Sequence, residues 1–91
     1  MPDEELLFKL FEAVVAFVLS AGGDGDGWVV SEDFVALADS FDRYERKHGN
    51  WFTEKSVGMK SVCFIHGQET ICFVESRDDI PEWAGDILVE L

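Results

Sequence analysis

Residues 61–75 read SVCFIHGQETICFVE, and this stretch contains the clearest indication of a β-sheet in the chain. Two short apolar runs, Val62–Ile65 and Ile71–Val74, are flanked by polar residues at Ser61, His66, Glu69 and Glu75. Between the two runs stands Gly67-Gln68, and glycine in the first position of a two-residue loop is typical of a type II′ β-hairpin. We therefore predict two antiparallel strands joined by this turn.

The two faces of this hairpin are both apolar. One face carries Val62, Phe64, Ile71 and Phe73, and the other carries Cys63, Ile65, Cys72 and Val74. The first face is predicted to form the core, and the second also needs a cover. The register places the two cysteines opposite each other, close enough for a disulfide if oxidised. Because the N-terminus is acidic rather than basic, we expect no secretory signal, a cytoplasmic protein and free thiols.

Helical patterns precede the hairpin. The first predicted helix runs from about Asp3 to Ala21, and its second half is apolar on nearly every side, so it is either central to the core or shared with a second chain. The second runs from an N-cap at Ser31 to about Lys47, and Gly49 follows its basic last turn.

The remaining segments complete a single predicted domain, residues 1–91. Trp28 to Val30 is a short β-like run, residues 50–60 are predicted as a connector, and Asp86 to Leu91 is predicted as a last strand. The sequence thus predicts an α+β fold with two helices packed on a small antiparallel sheet, in the order α-β-α-β-β-β.

The composition limits the classes of function. The chain has 91 residues, of which 47% are hydrophobic and 13% aromatic, which excludes a disordered chain. Its formal net charge of −12 argues against direct binding to nucleic acid or to an anionic membrane, both of which need basic surface. The apolar stretch near the N-terminus is shorter than the roughly 20 residues that span a bilayer. The charge favours a basic protein as partner.

The negative charge is concentrated in two runs. Residues 1–42 carry ten acids and one base, and residues 61–91 carry seven acids and one base, whereas residues 43–60 have a net charge of +3. Ordered carboxylates on a small domain can occupy the basic groove of a nucleic-acid-binding protein in place of phosphates. The alternative is a solvated acidic surface, in which Asp39 and Asp42 pair with Arg43 and Arg46 one helical turn later.

Sequence motifs indicate neither a catalytic residue nor a cofactor. No phosphate-binding glycine loop, nucleophile motif or zinc-ligand spacing is present, so we expect no enzyme. Asp24, Asp26 and Gly27, followed by Asp33, resemble a calcium-binding EF-hand loop. Gly22 stands at its first ligand position and an aspartate replaces the final glutamate, so no metal site is predicted, and a degenerate calcium loop is kept as an alternative.

Three segments resemble the phage uracil-DNA glycosylase inhibitors, small acidic proteins that mimic DNA. Residues 29–34 read VVSEDF and are similar to that family's short strand leading into an acid-opened second helix. Residues 69–76, ETICFVES, and 79–83, DIPEW, are similar to its central strand and the loop that follows. The family's Glu-Ser-Ile stretch is replaced by Asp26-Gly27-Trp28, and no residue is assigned to its hydrophobic pocket. By position, only Glu32 and Asp33 correspond to its acidic residues.

The sequence therefore leads to the hypothesis of an inhibitor of phage or mobile-element type, which mimics DNA phosphates and blocks a basic nucleic-acid-binding protein. The candidate contacts are seven carboxylates and one apolar anchor: Glu32, Asp33, Asp39, Glu75, Asp78, Asp79, Glu82 and Trp83. The alternative is an assembly module, a possible homodimer formed through the apolar first helix.

Overall fold

The computed structural model describes residues 4–20, 26–49, 51–82 and 87–90. Its helices are α1 (Glu4–Ser20) and α2 (Phe34–His48), and its strands are β1 (Asp26–Val30), β2 (Glu54–Val57), β3 (Ser61–His66), β4 (Glu69–Val74) and β5 (Ile87–Glu90). The strands form one sheet in the order β2-β3-β4-β1-β5. The predicted α+β class with two helices is confirmed, and the strand β2 is added to the predicted order.

The hairpin formed by β3 and β4 has the predicted register. His66 lies opposite Glu69, and Cys63 lies opposite Cys72. Gly67 has a φ of +62°, which a residue with a side chain rarely adopts and which the first position of a type II′ turn requires.

The sheet is mixed, so the prediction of a wholly antiparallel sheet is wrong. β1 pairs in parallel with β4 on one side and with β5 on the other. The reason lies in the connections, because α2 carries the chain back to the end of the sheet at which β1 began. β2 then starts from that end, β3 runs back antiparallel to it, and β4 starts again from the end at which β1 began, as parallel pairing requires.

β2 occupies part of the segment that was predicted as a connector. It pairs with β3 at one edge of the sheet, and all four of its residues are exposed. Because its four side chains are exposed, this edge strand needs no apolar face, and its sequence, EKSV, has no alternating apolar pattern to reveal it.

Both helices supply side chains to the main core, where phenylalanine rings meet between the helices and the sheet. The ring of Phe41 in α2 lies 4.7 Å from that of Phe64, 5.3 Å from Phe11 and 5.4 Å from Phe73, measured between centroids. All four side chains are at most 1% exposed. The predicted first face of the hairpin therefore does form the core.

α1 is only partly covered by this core. Phe11, Val14 and Val18 are buried, whereas Leu6 and Leu19 are 61% and 52% exposed. One stripe of this helix is therefore part of the core, which is the first of the two predicted roles. The exposed leucines leave apolar surface on the rest of the helix.

The opposite face of the sheet has a smaller apolar cluster. Trp28, Val30, Cys72 and Val74 are buried there, with Cys63 and Ile80 packed against them. The indole N–H of Trp28 has no hydrogen-bond partner in the described part of the chain. The predicted second apolar face is thus present, and Ile80, from the segment after β4, covers part of it.

Candidate protein-binding surface

The ends of β1 and β4 bring the two acidic runs together. Val30 lies beside Val74 in the parallel register, and the backbone N–H of Ser31 donates a hydrogen bond of 2.9 Å to the carbonyl oxygen of Val74. The chain continues from β1 into Glu32 and from β4 into Glu75. The acidic segments that begin at Glu32 and Glu75 therefore leave the sheet side by side at one end. This is the end at which open sheets with parallel strands commonly bind ligands.

A tight turn fixes the backbone of the first run. Ser31 Oγ accepts a hydrogen bond from the N–H of Asp33 at 3.1 Å, and the Asp33 carbonyl accepts the N–H of Leu37 at 3.0 Å. The regular helix begins at Phe34, slightly later than the predicted N-cap at Ser31. Glu32 and Asp33 are exposed, and the positive end of the α2 dipole lowers the cost of their negative charge.

In the second run, Asp79 organises the backbone. Its Oδ2 accepts hydrogen bonds from the N–H and the hydroxyl of Ser76, at 3.2 and 3.3 Å. The N–H of Asp79 donates in return to the carbonyl oxygen of Ser76, which closes a short 3₁₀ turn, Arg77–Asp79. Asp79 is half-buried and structural, whereas Asp78 in the same turn is exposed. The turn therefore holds Asp78 outward from an ordered backbone.

We define the strand-end acidic surface by the exposed residues Glu32, Asp33, Glu75 and Asp78. Within the part of the chain that the structure describes, none of these four carboxylates is in an ion pair. The base closest to them in sequence is Arg77, which stands between Glu75 and Asp78.

The other candidate residues have different positions. Glu82 is exposed at the far end of the segment that follows β4. Asp39 is exposed in α2, about 8 Å along the helix from Phe34, and is not brought to the strand-end acidic surface. Trp83 lies outside the described residues.

One acidic residue at this end was missed by the sequence analysis. β5 is parallel to β1, and Glu90 pairs with Val30 in the register. A third strand thus ends beside the first two with an acid at its last position. The position of Glu90 follows only from the parallel pairing of β1 and β5, because the two strands are far apart in sequence.

The basic residues of α2 partly neutralise a different carboxylate. Asp42 accepts hydrogen bonds from Arg46 and, at 2.9 Å, from Lys55 of β2. Burial raises the pKa of the Asp42 carboxyl, but the hydrogen bonds and positive charges of Lys55 and Arg46 together outweigh that effect and hold its pKa below 3.8. The pair of Asp42 with Arg46 is as expected, whereas Asp39 and Arg43 form no ion pair in the described structure.

The calcium-loop alternative depends on residues that are only partly described. Asp26 and Gly27 lie in β1, paired with Thr70 and Ile71, whereas an EF-hand needs a sharp turn at that glycine. Asp24 lies outside the described residues. Over residues 4–20, 26–49, 51–82 and 87–90, no group of three or more His, Cys, Asp or Glu side chains is placed to hold a metal ion. In the same residues, no helix has the length and apolar character needed to cross a bilayer.

Comparisons with family models, curated proteins and solved structures found no match.

Proposed function

We propose that this protein binds a basic nucleic-acid-binding protein through the strand-end acidic surface and blocks the groove that would hold DNA phosphates. The observation that carries the proposal is the meeting of two acidic runs, distant in sequence, at the ends of the adjacent parallel strands β1 and β4. The resemblance to the phage uracil-DNA glycosylase inhibitors supports the same class of function, a DNA mimic of phage or mobile-element type.

The order of the backbone supports mimicry over a simple solubilising charge. Carboxylates that replace phosphates need fixed positions, because the lysine and arginine side chains in the partner's groove have a fixed arrangement. The hydrogen bonds of Ser31 and Asp79 hold both acidic runs in defined turns. A net charge of −12 adds long-range attraction to a basic partner, which raises the rate of association.

The proposal is tested by capturing proteins from a lysate on the immobilised chain and eluting them with duplex DNA. The expected result is a basic DNA-binding protein that salt and DNA both release, and whose DNA binding in a purified assay is lost when this protein is added. The variant Glu32→Lys with Asp78→Lys is expected to lose capture. Asp79 is left intact because its carboxylate holds the turn.

The matched control is the single variant Glu54→Lys. It is compared with the single variants Glu32→Lys and Asp78→Lys. Glu54 is exposed at the edge strand β2 and pairs with Ile65, far from the ends of β1 and β4. Each single variant changes the net charge by the same amount. Equal capture by Glu32→Lys, Asp78→Lys and Glu54→Lys, or capture that DNA does not reverse, would refute the proposal.

A second candidate function is assembly as a homodimer through α1. The observation that favours it is the exposure of Leu6 and Leu19, together with a groove lined by Val15, Ala16 and Leu19 between this helix and α2. Light scattering over a range of concentrations tests it. A dimer that Leu19→Glu dissociates supports this function, and a monomer at every concentration rejects it.

A further inference from the structure

The thiols of Cys63 and Cys72 form a pair on the second face of the sheet. The two residues lie directly opposite each other on β3 and β4. Both are in the thiol form, and Cys72 is buried while Cys63 is half-buried. The proposed protein-binding function does not use either group.

The hairpin turn determines how close the two cysteines are. The residues that flank a two-residue turn, here His66 and Glu69, form a hydrogen-bonded pair, and hydrogen-bonded and non-hydrogen-bonded pairs alternate along the ladder. Counting back from the turn makes Cys63 and Cys72 a non-hydrogen-bonded pair. The Cα atoms of such a pair are about 4.5 Å apart, within the range of about 4.4–6.8 Å found in disulfides.

We propose that Cys63 and Cys72 are a site of reversible oxidation, at which a hydroperoxide converts the dithiol into an intramolecular disulfide. Cys63 reacts first because it is the more exposed of the two residues, and the buried Cys72 resolves the intermediate. The backbone needs no rearrangement to form the bond, since the hairpin already holds the two side chains side by side.

The chemistry balances in two steps. The Cys63 thiolate attacks the terminal oxygen of the hydroperoxide, the O–O bond breaks, and hydroxide (from hydrogen peroxide) or an alkoxide (from an organic hydroperoxide) leaves, so that Cys63 becomes a sulfenic acid. Cys72 sulfur then attacks Cys63 sulfur, the S–O bond breaks, and water leaves with the proton of the Cys72 thiol. The two sulfurs together give two electrons to the peroxide.

The environment of the pair supports this division of roles. The hydrogen bond from Cys72 lowers the pKa of Cys63 to about 7, against the opposing effect of burial and with help from Ser61. The pKa of Cys72 is raised, first by its hydrogen bond with Cys63, then by burial and the nearby charge of Asp26. Since the thiolate is the nucleophile, Cys63 is the group that a peroxide meets in its reactive form.

The test is treatment of the folded protein with hydrogen peroxide, followed by intact mass and non-reducing peptide mapping. The expected product has lost two hydrogen atoms, links residue 63 to residue 72 within one chain, and returns to the thiol form with dithiothreitol. Accumulation of oxygen-bearing products without that link, or a link only between chains, would overturn the proposal.

Two variants separate the roles of the cysteines. Cys72→Val, which keeps an apolar side chain suited to a strand, is expected to stop at the sulfenic acid, which a sulfenic-acid probe traps on Cys63. Cys63→Ser is expected to react far more slowly than the wild type, because its remaining thiol is buried. Circular dichroism confirms that each variant is folded, and equal oxidation rates of the two folded variants would contradict the assignment.

Discussion

The backbone N–H of Ser31 donates to the carbonyl oxygen of Val74, 2.9 Å away, at the point where β1 and β4 both end. This bond extends the parallel ladder by one residue beyond Val30. Its consequence is that Glu32 and Glu75 leave the sheet from neighbouring positions. The strand-end acidic surface is therefore a property of the sheet topology and not of either acidic run alone.

Removing the carboxylate of Asp79 is expected to loosen the turn after β4. Asp79→Ala deletes the acceptor of the Ser76 N–H and hydroxyl, and losing such a capping interaction costs about 1 kcal/mol of unfolding free energy. Urea unfolding and amide hydrogen exchange at residues 76–80 measure the effect. Asp78→Ala in the same turn is the control, because its exposed carboxylate makes no such bond, and a change within about 0.5 kcal/mol is expected. Equal losses for the two variants would contradict the role given to Asp79.

Truncating Phe41 is expected to be among the most damaging single changes in the core. Its side chain is fully buried between Phe11, Phe64 and Phe73, and Phe→Ala substitutions at such sites cost about 3–5 kcal/mol. Chemical denaturation of Phe41→Ala measures this loss. Val35→Ala in the same helix, where the valine is 55% exposed, is expected to change stability by less than about 0.5 kcal/mol. A loss below that of an ordinary surface change would show that Phe41 is not central to the packing.

The contact of Asp42 with Lys55 is expected to stabilise the fold in a pH-dependent way. The folded-state pKa of Asp42 lies below 3.8, so its contribution is present above that pH and is lost as the pH falls through the folded-state value. A double-mutant cycle of Asp42→Asn and Lys55→Met is expected to give a coupling of about 0.5–1 kcal/mol at neutral pH. The coupling energy should vanish once Asp42 is protonated. A coupling energy that is unchanged in acid would show that it does not depend on the charge of the Asp42 carboxylate.

The alkylation rate of Cys63 is expected to rise with pH and to reach half its maximum at about pH 7, where its thiol is half ionised. Iodoacetamide labelling followed by peptide mapping measures the rate. In Cys72→Val the midpoint is expected to move up towards 9.0, because the hydrogen bond that lowers the pKa is removed. A wild-type midpoint that already lies near 9.0 would be evidence against that hydrogen bond.

The sequence predicts local features of this fold better than distant ones. The register of the β3–β4 hairpin follows from the two-residue glycine turn between two adjacent apolar runs. The parallel partners of β1 were missed because nothing near Trp28 indicates which distant strand pairs with it. β2 was missed because all four residues of Glu54–Val57 are exposed, so the strand has no alternating apolar pattern.

The same division applies to the candidate site. Composition and charge identified Glu32, Asp33, Glu75 and Asp78 as exposed acids, since charged side chains rarely become buried without a partner. Their meeting at one end of the sheet depends on the topology. The structural role of Asp79 depends on the turn that it caps, and Glu90 was missed because its position follows from the pairing of β5 with β1.

The parallel pairing of β1 with β4 also affects the order in which the molecule folds. The hairpin of β3 and β4 closes a loop of two residues, whereas Val30 and Val74 are separated by almost half the chain. Bringing such distant residues together costs more loop entropy, so we expect the ladder between β1 and β4 to form after the hairpin. The strand-end acidic surface is therefore complete only once this ladder has formed, because the hairpin alone carries one acidic segment without the other. Recognition by a partner that needs both runs would thus select for completely folded molecules.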